Sequence, residues 1–196
     1  MHIFVKSLLL SGLCLNMACA NAISVDNRSL VNTNAESELK ISLARSHCFG
    51  VCPSYAVDIL GDGSVTYCGV SYVEHRGLKT RQIDPEAVSM LYKLIEEANF
   101  FKLKDSYEGR ISDGPTYKVT VTYRNQSKTI LDYLGAHDGM PEVVTKIQNE
   151  IDAIAGTADW VKRDEIWAPD PPLLKKPDCI GSSSHPAAFF GIYDSQ

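Results

Sequence analysis

The chain has 196 residues, 44% of them hydrophobic, with 19 Lys and Arg against 24 Asp and Glu, a net charge of −5. That is material for one domain of ordinary size, since domains typically run to about 100–150 residues. An acidic balance with no basic run longer than two residues, as at Lys175-Lys176, excludes the electrostatic footprint of a nucleic-acid binder.

Lys6, the apolar stretch from Leu8 to Leu15 and the small-x-small site Ala20-Asn21-Ala22 follow each other in the order of a secretory signal. Residues 1–22 are therefore expected to be removed, which takes away Lys6 and leaves 18 basic against 24 acidic side chains. The apolar stretch is shorter than the about 20 residues a membrane span needs, so no transmembrane segment is expected. A lipoprotein reading competes, because Ala18-Cys19 places a small residue before a cysteine. Against it, Asn16 stands where such signals carry leucine. The expectation is export, periplasmic or extracellular, with anchoring at Cys19 as the alternative.

Residues 23–37 are polar and aperiodic, a leader. Leu39, Ile41 and Leu43 then alternate with Lys40, Ser42 and Ala44, the period-two pattern of a half-buried strand. After the segment Ser46-His47-Cys48-Phe49-Gly50-Val51-Cys52-Pro53, a second alternation runs from Tyr55 to Leu60. It turns at Gly61-Asp62-Gly63 and resumes as Val65-Thr66-Tyr67, which reads as a hairpin. A fourth strand is expected at about Leu78 to Ile83.

Asp84-Pro85-Glu86 is a helix start, with Asp as N-cap and proline at the first helical position. Val88, Leu91, Ile95 and Ala98 give that helix one apolar stripe, closed by Phe100 and Phe101 as core plugs. Strand pattern returns with Tyr117, Val119, Val121 and Tyr123 facing one way. A turn at Asn125-Gln126-Ser127 leads to a partner strand from Thr129 to Tyr133. A second helix starts near Pro141, carries Val143, Ile147, Ile151 and Ile154 on one side, and stops at Gly156. The order ββββαββα, dominated by hairpins, predicts an α+β fold: a mainly antiparallel sheet with two helices packed on one face. The domain spans residues 38–161. Residues 162–196 form a Pro-rich tail whose aromatic end and Cys179 suggest that it docks back on the core.

Cys48, Cys52, Cys68 and Cys179 remain after signal removal, and four cysteines in an exported chain favour disulfides. Gly50 permits a turn tight enough to bring Cys48 and Cys52 together. Cys68 and Cys179 are then left to pair or to stay as thiols, and pairing is the expectation.

The motif Cys48-Phe49-Gly50-Val51-Cys52-Pro53-x-Tyr55 occurs together with Gly61-Asp62-Gly63-x-Val65-x-Tyr67-x-Gly69, Asn99-Phe100-Phe101-x-Leu103, Asp113-x-Pro115-Thr116 and Asp132-Tyr133-x-Gly135. In this combination, from about Glu38 to Val161, the chain resembles the bacterial family catalogued as domain of unknown function 6438. The resemblance implies export, one compact domain and no established activity.

Three functions follow as alternatives. The first is a non-catalytic binding or interaction module on a disulfide-pinned scaffold, with Phe49, Tyr55, Asp113, Asp132 and His137 as binding candidates, a protein or cell-envelope partner, and no cofactor. The second is copper or thiol-redox chemistry, because Cys48 to Pro53 also fits the C-x-x-x-C-P motif of Sco-type copper chaperones and a histidine, His47 first among His47, His75, His137 and His185, would add a third ligand. Against it, proline-led strand pattern follows the motif here where those proteins have a long helix. The third is a hydrolase collecting Asp113, Asp132 and His137, although no G-x-S-x-G, H-E-x-x-H or P-loop motif occurs.

Overall fold

The computed structural model describes residues 38–162 and Cys179. The expected signal peptide, the leader and all of the tail except Lys162 and Cys179 lie outside the described residues.

Seven strands form one sheet: β1 (Leu39–Arg45), β2 (Ser54–Leu60), β3 (Ser64–Ser71), β4 (Gly77–Gln82), β5 (Ser106–Glu108), β6 (Thr116–Tyr123) and β7 (Gln126–Tyr133), in the order β4-β3-β2-β1-β6-β7-β5. Every pairing is antiparallel except β5 with β7. Helices α1 (Pro85–Glu97), α2 (Glu142–Ala155) and the single-turn α3 (Ala158–Val161), with 3-10 turns at Phe100–Lys102 and Gly135–Asp138, complete the domain. The α+β class and the antiparallel sheet are as the sequence predicts, and the expected order gains β5 and α3. Three residues are too few to show a period of two, so β5 has no sequence signature.

β1 lies at the centre of the sheet because its alternation serves two partners at once. Leu43 pairs with Val57 of β2 on one side and Val119 of β6 on the other. Leu39, Ile41, Leu43, Val57, Ile59, Tyr67, Val119, Val121 and Ile130 point to one face, where they meet Val88, Leu91 and Ile95 of α1 and Val144, Ile147 and Ile151 of α2 in a single core. Fully burying an aliphatic side chain of this size stabilises by about 1.5–3 kcal/mol. α1 begins as expected: the Asp84 carboxylate accepts from the Glu86 N–H at 2.9 Å, with Pro85 in the first turn.

Two expectations are displaced by one residue. The buried stripe of α2 is Val144, Ile147, Gln148, Ile151 and Ala155, with Val143 and Ile154 only flanking it. The β6–β7 hairpin turns at Arg124-Asn125, since Tyr123 already pairs with Gln126, and Arg124 takes the left-handed conformation, φ 54°. α2 stops at Gly156, φ 63°, where a Cβ would collide with the Arg81 guanidinium. That guanidinium lies 4.0 Å over the Trp160 ring, and Trp160 in turn packs against Tyr67 at 5.0 Å with the ring planes tilted.

On the other face of the sheet Ala44, Ala56, Cys68 and Val70 form a small cluster with Cys179, which is bonded to Cys68 with their Cα atoms 6.0 Å apart. Hydroxyl pairs continue this face across β6 and β7, Thr120 with Thr129 at 2.8 Å and Thr122 with Ser127 at 2.9 Å. Among the described residues no helix is long and apolar enough to cross a membrane.

Candidate functional site

The segment between β1 and β2 must cross from one strand to its neighbour within eight residues, and a disulfide closes its middle. Cys48 and Cys52 are bonded, with Cα atoms 5.6 Å apart. The Gly50 N–H donates to the Cys48 carbonyl at 2.9 Å. Gly50 has φ 155°, a conformation that side chains disfavour. The loop is then fastened to the strand next door. The Ser46 N–H donates to the Thr116 carbonyl at 2.9 Å, the Thr116 N–H returns to the Ser46 hydroxyl at 2.8 Å, and the Phe49 N–H donates to the Asp113 carbonyl at 3.1 Å.

This framework leaves its apolar side chains facing solvent. Phe49 is 90% exposed and Val51 52%, and Ile111, two residues before the Asp113 that holds Phe49, is 50% exposed. An isolated exposed apolar residue is ordinary, whereas three on two loops tied together make a small apolar tip.

Behind the tip a polar row crosses the helix-facing side of the sheet through Tyr55, Arg45, Tyr117 and Asp132, neighbours in strand register. α2 reads that row with two residues one turn apart. The Gln148 amide donates to Asp132 at 2.8 Å. Asp152 receives Arg45 twice, at 2.7 and 2.9 Å, on one oxygen, and the Tyr55 and Thr157 hydroxyls, each at 2.8 Å, on the other. Arg45 also lies 4.4 Å over the Tyr117 ring. Burial works against the Arg45 charge, but Asp152 and the neighbouring tyrosines carry its pKa above the ordinary value.

The candidate residues thus separate by depth. Phe49, Asp113 and His137 are exposed. Tyr55 is 4% exposed with its hydroxyl committed to Asp152, and Asp132 is 6% exposed with one oxygen on the Gly135 N–H and the other on Gln148. Asp132 therefore fixes the Leu134–Gly139 loop, and its carboxylate is spent there and not on His137. The bonded pair Cys48–Cys52 presents no thiolate, so the copper alternative with His47 requires prior reduction. Among the described residues no group of three or more His, Cys, Asp or Glu is placed to hold a metal ion. Sequence reasoning missed Arg45, Gln148 and Asp152; the signal that was present is the i, i+4 pair Gln148 and Asp152 along one face of α2.

The buried tyrosines set an alkaline limit. Burial, then the carboxylate of Asp152, raises the Tyr55 pKa well above 10, and burial, then Tyr55, does the same for Tyr67. Above about pH 10 the unfolded chain releases these protons while the folded one keeps them, so stability must fall as pH rises, by up to about 1.4 kcal/mol per pH unit for each tyrosine. Below about pH 10 the two groups should contribute no slope. Urea midpoints at pH 8 and pH 11 measure this. Tyr55→Phe should remove about a third to a half of the loss, since Tyr92, raised to about 12 mainly by burial, adds to it as well, and an unchanged pH dependence in that variant would refute the assignment.

A family model described as a domain of unknown function, DUF6438, matches residues 39–155, from the start of β1 to the end of α2. No curated protein matches the chain.

Proposed function

Because the chain belongs to this family of domains of unknown function, we propose from its own chemistry that it is an exported, non-catalytic binding module whose disulfide-closed tip engages a protein partner of the cell envelope. One observation carries the reading. Phe49 is 90% exposed on a loop that the Cys48–Cys52 bond and the Asp113 hydrogen bond hold in place. An aromatic side chain kept in water at the point of a rigid loop has no folding role, and aromatic anchors set into a partner's pocket carry most of the energy of typical interfaces. Preorganisation removes the ordering cost that a mobile loop would incur on binding. The acidic balance of the chain, 24 acidic against 19 basic residues, disfavours an anionic lipid surface as the alternative target.

A photo-crosslinking amino acid at position 49, in cells producing the full chain, should give one discrete protein adduct. The same group at Met90, which is 63% exposed on α1, should give none. Val51→Asp with Ile111→Asp should abolish the adduct while changing stability by no more than about 0.5 kcal/mol, as surface substitutions do. Equal labelling from both positions would dismiss the tip. The same preparation tests export, because its intact mass should correspond to a chain beginning at Ile23. A chain beginning at Cys19 and carrying diacylglycerol would make it a lipoprotein instead.

A further inference from the structure

A second surface lies at the other end of β6. The tip is fastened at Thr116, whereas Tyr123, seven residues along the strand and so roughly 24 Å away, lines a cavity of about 540 Å³ between the end of α1 and the β6–β7 hairpin. That volume lies within the range of about 300–1,000 Å³ usual for small-ligand sites. Its wall combines four aromatic residues, Tyr92, Phe100, Phe101 and Tyr123, with three side-chain amides, Asn99, Asn125 and Gln126. The Tyr92 and Tyr123 rings meet at 4.6 Å with their planes inclined by 43°, and Arg124 lies 5.0 Å over Tyr123.

The backbone at the rim is held in a costly conformation on both sides. Asn99 at φ 51° and Arg124 at φ 54° are both left-handed, and neither is glycine. That cost is the ordinary one of a helix C-terminus at Asn99 and of a two-residue hairpin turn at Arg124. Glycine would relieve it at either position but would remove the polar side chain from the cavity.

Charge narrows the ligand class. Lys102 and Arg124 are set against Glu96 and the carbonyl end of the α1 dipole, so the lining is close to balanced and offers no strong field for an ion of either sign. Planar amides spaced between aromatic rings are poorly suited to an acyl chain, which would leave their donors and acceptors unpaired. They suit a pyranose chair, with C–H bonds on its faces and hydroxyls on its rim. We infer that this cavity is a binding site for a short, uncharged oligosaccharide, with Tyr92 and Tyr123 against the sugar rings and Asn99, Asn125 and Gln126 on their hydroxyls. The site is independent of the tip and stands whether or not the tip has a partner.

Amide-resonance titrations of the full chain with chitotriose and with cellotriose test it. At least one sugar should bind with a dissociation constant in the range of about 0.1–1 mM. Its shifts should be confined to residues 92–102 and 123–126. Tyr92→Ala should abolish them. Asn99→Gly should weaken binding about fivefold while melting no lower than the parent, which separates lost contact from lost fold. No shift with either sugar, shifts that survive Tyr92→Ala, or shifts seen only with a hexaglutamate peptide would each overturn the proposal.

Discussion

Replacing Cys68 and Cys179 together by alanine should lower the stability of the oxidised protein by about 5 kcal/mol, against about 2 kcal/mol for the same change at Cys48 and Cys52. The difference is one of loop length. The first bond closes 111 residues of chain and the second only four, and the unfolded chain loses more freedom from the longer tie. The packing term is small by comparison, because Cys68 sits among Ala44, Ala56 and Val70, and alanine is little smaller than cysteine. The expected fall in melting temperature is about 10–20 °C for the long tie. Urea denaturation of the two double variants without reductant gives the ranking. A larger loss at Cys48 and Cys52 would mean that the tip bond supports the fold rather than the binding surface, and would weaken the functional reading of Phe49.

Asp152→Ala should cost about 3–5 kcal/mol, the range for removing one partner of a buried ion pair. The Arg45 and Asp152 side chains are 14% and 19% exposed, so water does not replace what the carboxylate supplied. Four donors, two from Arg45 and one each from Tyr55 and Thr157, lose their acceptor at once. Asp152→Asn should lose less, since an amide oxygen can still accept from Tyr55 and Thr157 while the Arg45 charge goes unanswered. Pairing Arg45→Met with Asp152→Leu should recover part of the loss, because the remaining cost of burying a lone charge then disappears. A loss below about 1 kcal/mol for Asp152→Ala would reduce this group to a surface salt bridge. The contrast matters for function, because Tyr55 stands just behind the tip. If the hub fails, the tip should move with it, and crosslinking from position 49 should weaken even though no exposed residue has changed.

Much of this molecule is legible from short-range chemistry. The alternation of Leu39, Ile41 and Leu43, the glycines around Asp62 and the Asp84-Pro85 helix start each specify local backbone through neighbours a few residues away, and all stand in the fold where the sequence places them. The bond between Cys48 and Cys52 is of the same kind, because three intervening residues, one of them a glycine, leave it little choice.

What the sequence does not contain is the partner of a side chain far along the chain. The face of α2 was misjudged by one residue because Val143 and Ile154 are as apolar as Val144 and Ile151. Only the polar row on the sheet, reached through β1, β2 and β7, decides that Gln148 and Asp152 turn inward. Asp132 and Tyr55 look like site residues in one dimension and become structural ones once α2 covers them. β5 exists only because β7 offers it an edge, and Tyr92 meets Tyr123 only because α1 and the hairpin end at the same level. The sequence by itself determined six of the seven strands, the two long helices, the Asp84 cap and the cysteine turn, all of them settled by contacts within a few residues. Tertiary structure decided which polar groups are buried as pairs and which apolar ones stay in water, because burial depends on residues separated by 97 positions at Tyr55 and 107 at Arg45.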